Sequence, residues 1–261
     1  MRILFIGDIV GRVGRRAVVA LLPGLVEAHR VDFTIANGEN AAGGLGITER
    51  AATELLDAGV HVLTGGDHSW DRPEGVPFLD DCERILRPAN YPTGAAGRGS
   101  GVYVSPSGVK VGVVNLQGRA FMKPLDCPFR MGLELVRSVK KETPIVVVDF
   151  HAEATSEKTA LGLYLAGVAT CVLGTHTHVQ TADERLLTGR TAYITDVGMT
   201  GPADSVIGMQ TEVALERFLL GVPRRYEVGK GPALLNAVVV DIEEETGAAR
   251  SIERVLEHHD E

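Results

Sequence analysis

Five short apolar runs in this chain each end in a side chain able to bind a metal ion or move a proton. "RILFIG" leads to Asp8, "VDFTIAN" to Glu39 and Asn40, and "VHVLTGG" to Asp67 and His68. "PIVVVDF" leads to His151, and "ATCVLGT" to His176 and His178. Runs of this length and Val/Ile content read as strands buried on both faces. Helix-like stretches separate them. "RRAVVALLPGLVEAHR" has Pro23 and Gly24 weakening its middle, and "TERAATELLDAG" can be capped by Thr48. Alternating strands and helices pair in parallel through right-handed crossovers, and the crevice beyond the carboxyl ends of such strands is where ligands bind. Carboxylate, amide and imidazole groups are therefore expected together at one edge.

The second half changes character. Residues 87–101, "RPANYPTGAAGRGSG", read as a loop. "GVYVSPSGVKVGVVNLQG" reads as a hairpin turning at Ser105–Gly108, and the "ALLNAVVVDIEEETGAARSIERVLEHH" end as another turning at Glu245-Thr246-Gly247. Helices are expected near 130–141 and over "EKTALGLYLAG". "DSVIGMQTEVALERFLL" suits a core helix and an interface helix equally. The fold class is α/β: two mixed sheets packed as a sandwich, with helices on the outer faces. Residues 1–261 are expected to form one domain, since 261 residues, 44% of them hydrophobic, can bury a large core.

Formal charge is −8, with no long basic run, which argues against coating nucleic acid. Bound metal ions could still draw an anionic substrate. The three cysteines form no C-x-x-C pair, and their odd number argues against a disulfide framework. Reduced thiols, no signal-peptide pattern and no run of about 20 apolar residues point to a soluble cytoplasmic protein with no membrane partner. A homo-oligomer remains open.

Any one of these polar groups has an ordinary explanation: Asp8 as a turn or cap residue, His151 as a hydrogen-bonded histidine. His176 and His178 carry more, because alternate residues of an extended chain point the same way. All five strand ends together point to a metal site. A dinucleotide site is excluded, since "GDIVGRVG" departs from G-x-G-x-x-G and sets a charged Asp8 in the turn. Oxygen and imidazole donors suit Mn, Fe or Zn better than Mg or Ca.

The order Asp, acid, [Asn/Asp]-His, His, Gly-x-His-x-His resembles the calcineurin-like metallophosphoesterases. "GDIVGRVGR", "ANGENAAGG", "GGDHSWD", "NLQGRAFM" and "LGTHTHVQTAD" resemble more closely a small bacterial subfamily associated with 2′,3′-cyclic nucleotide phosphodiesterase activity. The resemblance implies a four-layer fold with two divalent or trivalent transition-metal ions, iron or manganese ahead of zinc. It implies Asp8 and His178 on the first metal, with Asn40 beside them, and Asp67, His151 and His176 on the second. Glu39 bridges, and His68 acts as the acid. The implied reaction is hydrolysis of a small-molecule phosphate ester, such as 2′,3′-cyclic AMP, by metal-activated hydroxide. Three departures stand out: Asp8-Ile9-Val10 lacks the usual Asp-x-His histidine, Glu39 replaces a bridging aspartate, and Asp67 replaces the usual asparagine. A carboxylate at 67 should bind a hard cation more tightly and weaken the metal's pull on substrate.

Asn115, Gln117 and Arg119 in "NLQGR" are weaker candidates for substrate binding, and "TDVGMTGP" reads as another loop near the site, with Asp196 a candidate supporting acid. Trp70 and Tyr91 could stack on a base. A broad-specificity phosphomonoesterase and a metal-containing regulatory protein are the competing readings.

Overall fold

The computed structural model describes residues 1–225 and 227–260. Its first sheet begins with β1 (Arg2–Ile6), β2 (Asp8–Ile9), β3 (Phe33–Asn37) and β4 (Val62–Thr64). Parallel pairing of β1 with β3 and of β3 with β4 follows from the connecting helices α1 (Gly11–His29) and α2 (Glu49–Asp57). α1 runs through Pro23 and Gly24, which face solvent while Val18, Leu22 and Leu25 pin its other face to the sheet. Thr48 caps α2 as expected, accepting from Ala51 N at 3.3 Å. A short helix, α3 (Val76–Asp81), follows β4.

The second sheet holds β5 (Ser100–Val104), β6 (Lys110–Gln117), β7 (Val146–His151), β8 (Cys171–Thr175), β9 (Arg185–Leu187) and β10 (Thr191–Ile194). Its order is β5-β6-β7-β8-β10-β9, parallel from β6 through β10 with antiparallel edges. α4 (Pro128–Val139) and α5 (Thr155–Leu165) make its crossovers. The chain then returns to the first sheet through β11 (Met199–Pro202), α6 (Thr211–Leu220), β12 (Ala233–Ile242) and β13 (Ala249–His259). β12 pairs antiparallel with β1, β11 and β13, completing the C-terminal hairpin.

Period-two side-chain alternation divides the core into layers. Phe5, Ile35 and Val238 face Val113, Val147 and Leu173 across the sandwich. Leu4, Ile6 and Leu63 turn outward onto α1 and α2, and Val146, Val148 and Phe150 turn outward onto α4 and α5. This is the expected order of helix, sheet, sheet, helix. One element decides between two open readings, and another differs from expectation. α6 buries only Ala214, with Phe218 and Leu219 80% or more exposed, so it is no core helix. "TDVGMTGP" is not all loop, because Met199 and Thr200 pair with Asp8 and Ile9 and become strand.

Candidate metal centre

β1, β3, β4, β7 and β8 end at one place, where the two sheets meet. After β1 the chain turns at Gly7, where a Cβ would lie 1.8 Å from the Gly198 carbonyl oxygen. That close approach sets Asp8 in β2, fully buried, with Oδ2 accepting from His176 N at 3.1 Å. After β3, Asn37 Oδ1 accepts from Glu39 N at 3.0 Å, a side-chain turn that directs Glu39 inward. Glu39 Oε1 then accepts from His68 N at 2.7 Å, joining the ends of β3 and β4.

Four ligand atoms from Glu39, Asp67, His151 and His176 all lie within 4.8 Å of one another. His151 Nε2 stands 2.7 Å from Glu39 Oε2, 3.3 Å from Asp67 Oδ1 and 3.0 Å from His176 Nδ1. Its other nitrogen, Nδ1, is 3.0 Å from Thr175 Oγ1, whose own hydrogen goes to Asp149 Oδ1 at 2.8 Å. The hydroxyl must therefore accept from His151, which fixes one proton on Nδ1 and makes Nε2 the atom that faces the cluster. His178 follows the same logic: a carbonyl can only accept, so Nδ1–H donates to Ile207 O at 2.8 Å. Its Nε2 faces Asn40 Nδ2 at 3.4 Å.

The donor set fits a cation. Asp8 Oδ1, Glu39 Oε2 and Asp67 Oδ1 are buried without an aligned hydrogen-bond donor among the described residues, and a ring nitrogen of His151 lies within 3.6 Å of each. Buried acceptors left unpaired are costly, and a hard or borderline metal ion satisfies several at once. Electrostatics agree. Burial raises the Asp8 pKa. Burial also works against the His151 imidazolium, yet Glu39, Asp67 and Asp8 together raise its pKa well above the ordinary value. Asp67 is driven the other way: despite its burial, His151, His68 and His176 hold it well below the usual carboxylate range. Burial and the neighbouring His151 push His176 down to about 3.

The expected reason for the His176–His178 pair is corrected here. The strand stops at Thr175, and His176 and His178 have φ of 96° and 65°, so they are not alternate residues of an extended chain. A left-handed turn aims them, and buried groups hold it. Asp196 Oδ2 accepts from Thr177 N at 3.0 Å, Thr177 Oγ1 at 2.7 Å and Lys158 Nζ at 2.7 Å. Lys158 and Asp196 are 1% and 0% exposed, so this is a buried ion pair beneath the turn.

Other candidates fall elsewhere. Asn115 is fully buried, where its Oδ1 accepts from Gly65 N at 3.1 Å and steadies the end of β4. Gln117 is buried at the end of β6, in register with His151 across the β6–β7 pair. Arg119 is exposed and reaches Cys127, with no contact to the cluster among the described residues. Trp70 and Tyr91 pack on each other with centroids 4.4 Å apart. Burial and Asp67 push the Tyr91 hydroxyl up to about 12.

His68 Nδ1 is 2.7 Å from Asp71 Oδ2, and its Nε2 is 3.8 Å from Asp67 Oδ2. A pocket of about 300 Å³ opens onto His68, His176 and His178, with Leu45, Ile207 and Met209 as apolar wall. Sequence reasoning missed Asp149, Lys158 and Glu153, whose Oε2 is 3.2 Å from His176 Nε2. Asp149 left a signal, a lone acid inside the apolar run "VVVDF". It accepts from Thr64 Oγ1, Asn37 Nδ2 and Thr175 Oγ1 beneath the cluster, and burial outweighs those bonds to push its pKa up to about 7.

The model of the YmdB-like protein family matches residues 4–255. The chain belongs to this family. A 2′,3′-cyclic-nucleotide 2′-phosphodiesterase of Bacillus subtilis (strain 168) is 50% identical over 260 residues, covering 100% of this chain and 98% of that one. The YmdB-like fold is also seen in two solved structures. A Thermus thermophilus protein matches with a TM-score of 0.92 at 43% identity, over 99% of both chains. A phosphatase of Mycoplasma pneumoniae matches with a TM-score of 0.93 at 34% identity, over 100% of this chain and 94% of that one. Among the described residues no helix is long and apolar enough to cross a membrane.

Proposed function

We propose that this chain is a two-metal phosphodiesterase hydrolysing small phosphate diesters, with 2′,3′-cyclic nucleotides as its substrate class. The observation that carries this reading is the convergence of Glu39, Asp67, His151 and His176 around unpaired buried carboxylate oxygens. Near-complete coverage by a relative with that activity supports the substrate class. In this reading Asp8, Asn40 and His178 hold one metal, Asp67, His151 and His176 the other, and Glu39 serves both. The mixed oxygen and imidazole donors suit iron, manganese or zinc, and the family resemblance puts iron or manganese ahead of zinc. When bound, such ions supply Lewis-acid polarisation of the phosphate and a lowered pKa of water.

The chain's own residues do the rest. Asp71 Oδ2 accepts from His68 Nδ1, so that a second proton carried on Nε2, on the side of Asp67, can pass to the departing ester oxygen and leave the neutral ring held by Asp71. Leu45, Ile207 and Met209 shield one side of the pocket from water. The reading treats residues 1–261 as one catalytic domain in a reducing cytoplasm, which the free Cys82, Cys127 and Cys171 suit. Asn115 and Gln117 act in it as supports of the site floor, and Arg119 has no assigned part.

The test is hydrolysis of 2′,3′-cyclic AMP by metal-stripped protein with Mn²⁺ restored, beside His68→Ala and beside the monoester product as substrate. Metal-dependent turnover of the diester, falling by about 10²–10⁴-fold in His68→Ala with metal content unchanged, is expected. Turnover of the monoester alone would replace the diesterase reading with a phosphomonoesterase.

A further inference from the structure

A cavity of about 800 Å³ lies apart from the metal-ligand cluster. Ala42 and Gly43 line it, whereas Asn40, Gly44 and Leu45 of the same loop line the pocket at the cluster. Among its described lining residues five arginines, Arg12, Arg15, Arg16, Arg50 and Arg72, stand against two acids, Glu54 and Glu74, an excess of basic over acidic side chains. That excess sits in a chain of formal charge −8.

This placement is costly. Arg12, Arg15 and Arg16 lie at i, i+3 and i+4 on one face of α1, spacings at which like charges repel. They also stand in the first two turns, against the positive end of the helix dipole, and the first turn has no acidic residue. Two of the five arginines are fixed in place. Arg15 Nε is 2.8 Å from Glu54 Oε2, and Arg72 Nε donates to the carbonyls of Ala42 and Leu45 at 3.0 and 2.9 Å. Arg12 and Arg50 are exposed and have no side-chain partner among the described residues. A smaller cavity of about 240 Å³ shares Arg12 and Arg16 and adds Lys230, lengthening the cationic strip.

We infer that this cavity is a second binding site, separate from the metal centre, for the linked phosphates of a small polyphosphate anion. Guanidinium forks match phosphate oxygens bidentately, and a fixed pair beside two free ones is a pre-organised receptor. A cavity of about 800 Å³ exceeds what one phosphate fills, and two or three linked phosphates can meet more of its five arginines. Among the described residues no aromatic side chain lines the cavity, and recognition runs through phosphate charge.

The experiment is calorimetric titration of inorganic tripolyphosphate, and in a second arm ATP, into metal-loaded protein. Wild type is compared with Arg12→Ser/Arg50→Ser, Arg12→Lys/Arg50→Lys and the metal-centre variant Glu39→Gln, each checked by its melting temperature. Saturable binding is expected, weakened about tenfold or more in the serine pair, less in the lysine pair, and retained in Glu39→Gln. Equal affinities for tripolyphosphate and ATP identify the phosphate chain alone as the ligand, and tighter ATP adds the nucleoside. Two results overturn the inference: no binding to wild type, or binding that survives in the serine pair and vanishes in Glu39→Gln.

Discussion

Replacing Gly66 by alanine tests the metal centre without touching a proposed ligand. Gly66 is not among the residues with positive φ, so its backbone conformation is open to alanine. The new methyl carbon, however, would lie 2.4 Å from His151 Nε2 and Cδ2 and 2.6 Å from Glu39 Cδ. Ordinary contact begins at 3.4 Å, so one side must give by about 1 Å. His151 has little room to retreat, because it is fully buried and tied through Nδ1 to Thr175. Glu39 is tied through Oε1 to His68 N. Metal–ligand distances tolerate only about 0.2 Å, so a shift of this size removes either His151 or Glu39 from coordination.

Two measurements separate the site from the fold. Overpacking alone should cost about 1–3 kcal/mol, a fall in Tm of roughly 3–10 °C for the metal-free protein. Metal affinity should fall by about 100-fold or more, read by calorimetry and by metal content after dialysis against buffered free Mn²⁺. Hydrolysis of 2′,3′-cyclic AMP should fall with it. Gly132→Ala is the control: its methyl carbon would lie 2.8 Å from Leu116 Cδ1, remote from the cluster. It should lower Tm and leave metal binding unchanged. A Gly66→Ala protein that binds metal with wild-type affinity would refute the reasoning, since His151 and Glu39 could not then be ligands.

Asp67→Asn should weaken metal binding by about tenfold yet raise turnover of the loaded protein, because it removes a negative charge from the ligand set; unchanged affinity and rate would show that Asp67 does not coordinate. Lys158→Met should cost about 3–5 kcal/mol in urea unfolding by leaving Asp196 buried and uncompensated, and a loss under about 1 kcal/mol would contradict the buried ion pair. Metal affinity should also rise with pH. The His151 pKa is raised in the metal-free fold by its surrounding carboxylates, and its proton must leave before Nε2 can coordinate. Affinity therefore climbs about tenfold per unit below that pKa and levels off above it, while His176, held near about 3, releases no competing proton. Calorimetry giving the same affinity from about pH 5 to about pH 8 would contradict this.

The candidate ligands gathered at this place are legible in the sequence because strand ends in a parallel sheet are a fixed address, and each apolar run points at its polar terminus. What the sequence hides is how they are aimed. The His176-Thr177-His178 turn has left-handed residues that no propensity favours, and its support comes from Asp196 and Lys158, 19 residues from Thr177 on either side. β9, β10 and β11 are runs of three to four residues, too short for periodicity to distinguish from loop. Their pairing exists only once β8 and β12 are in place. α6 shows the converse: its apolar spacing suits a core helix, but the fold leaves that face in solvent.

The two sheets contribute different chemistry. Asp8, Glu39, Asn40 and Asp67 follow strands of the first sheet, and His151, His176 and His178 follow strands of the second. Carboxylates on one side of the seam and imidazoles on the other have one efficient way of being satisfied together, which is a shared cation. The proton that the carboxylates hold on His151 is the metal-free substitute for that charge. Because the donors straddle the seam, their spacing is set by the packing of Phe5, Ile35, Val147 and Leu173 between the sheets. Close-packed interiors transmit strain, so a change in that apolar layer reaches the donors, and a cation bound at the seam ties the two sheets together. A metal ion held by these donors would therefore bind in linkage with the packing of the two sheets.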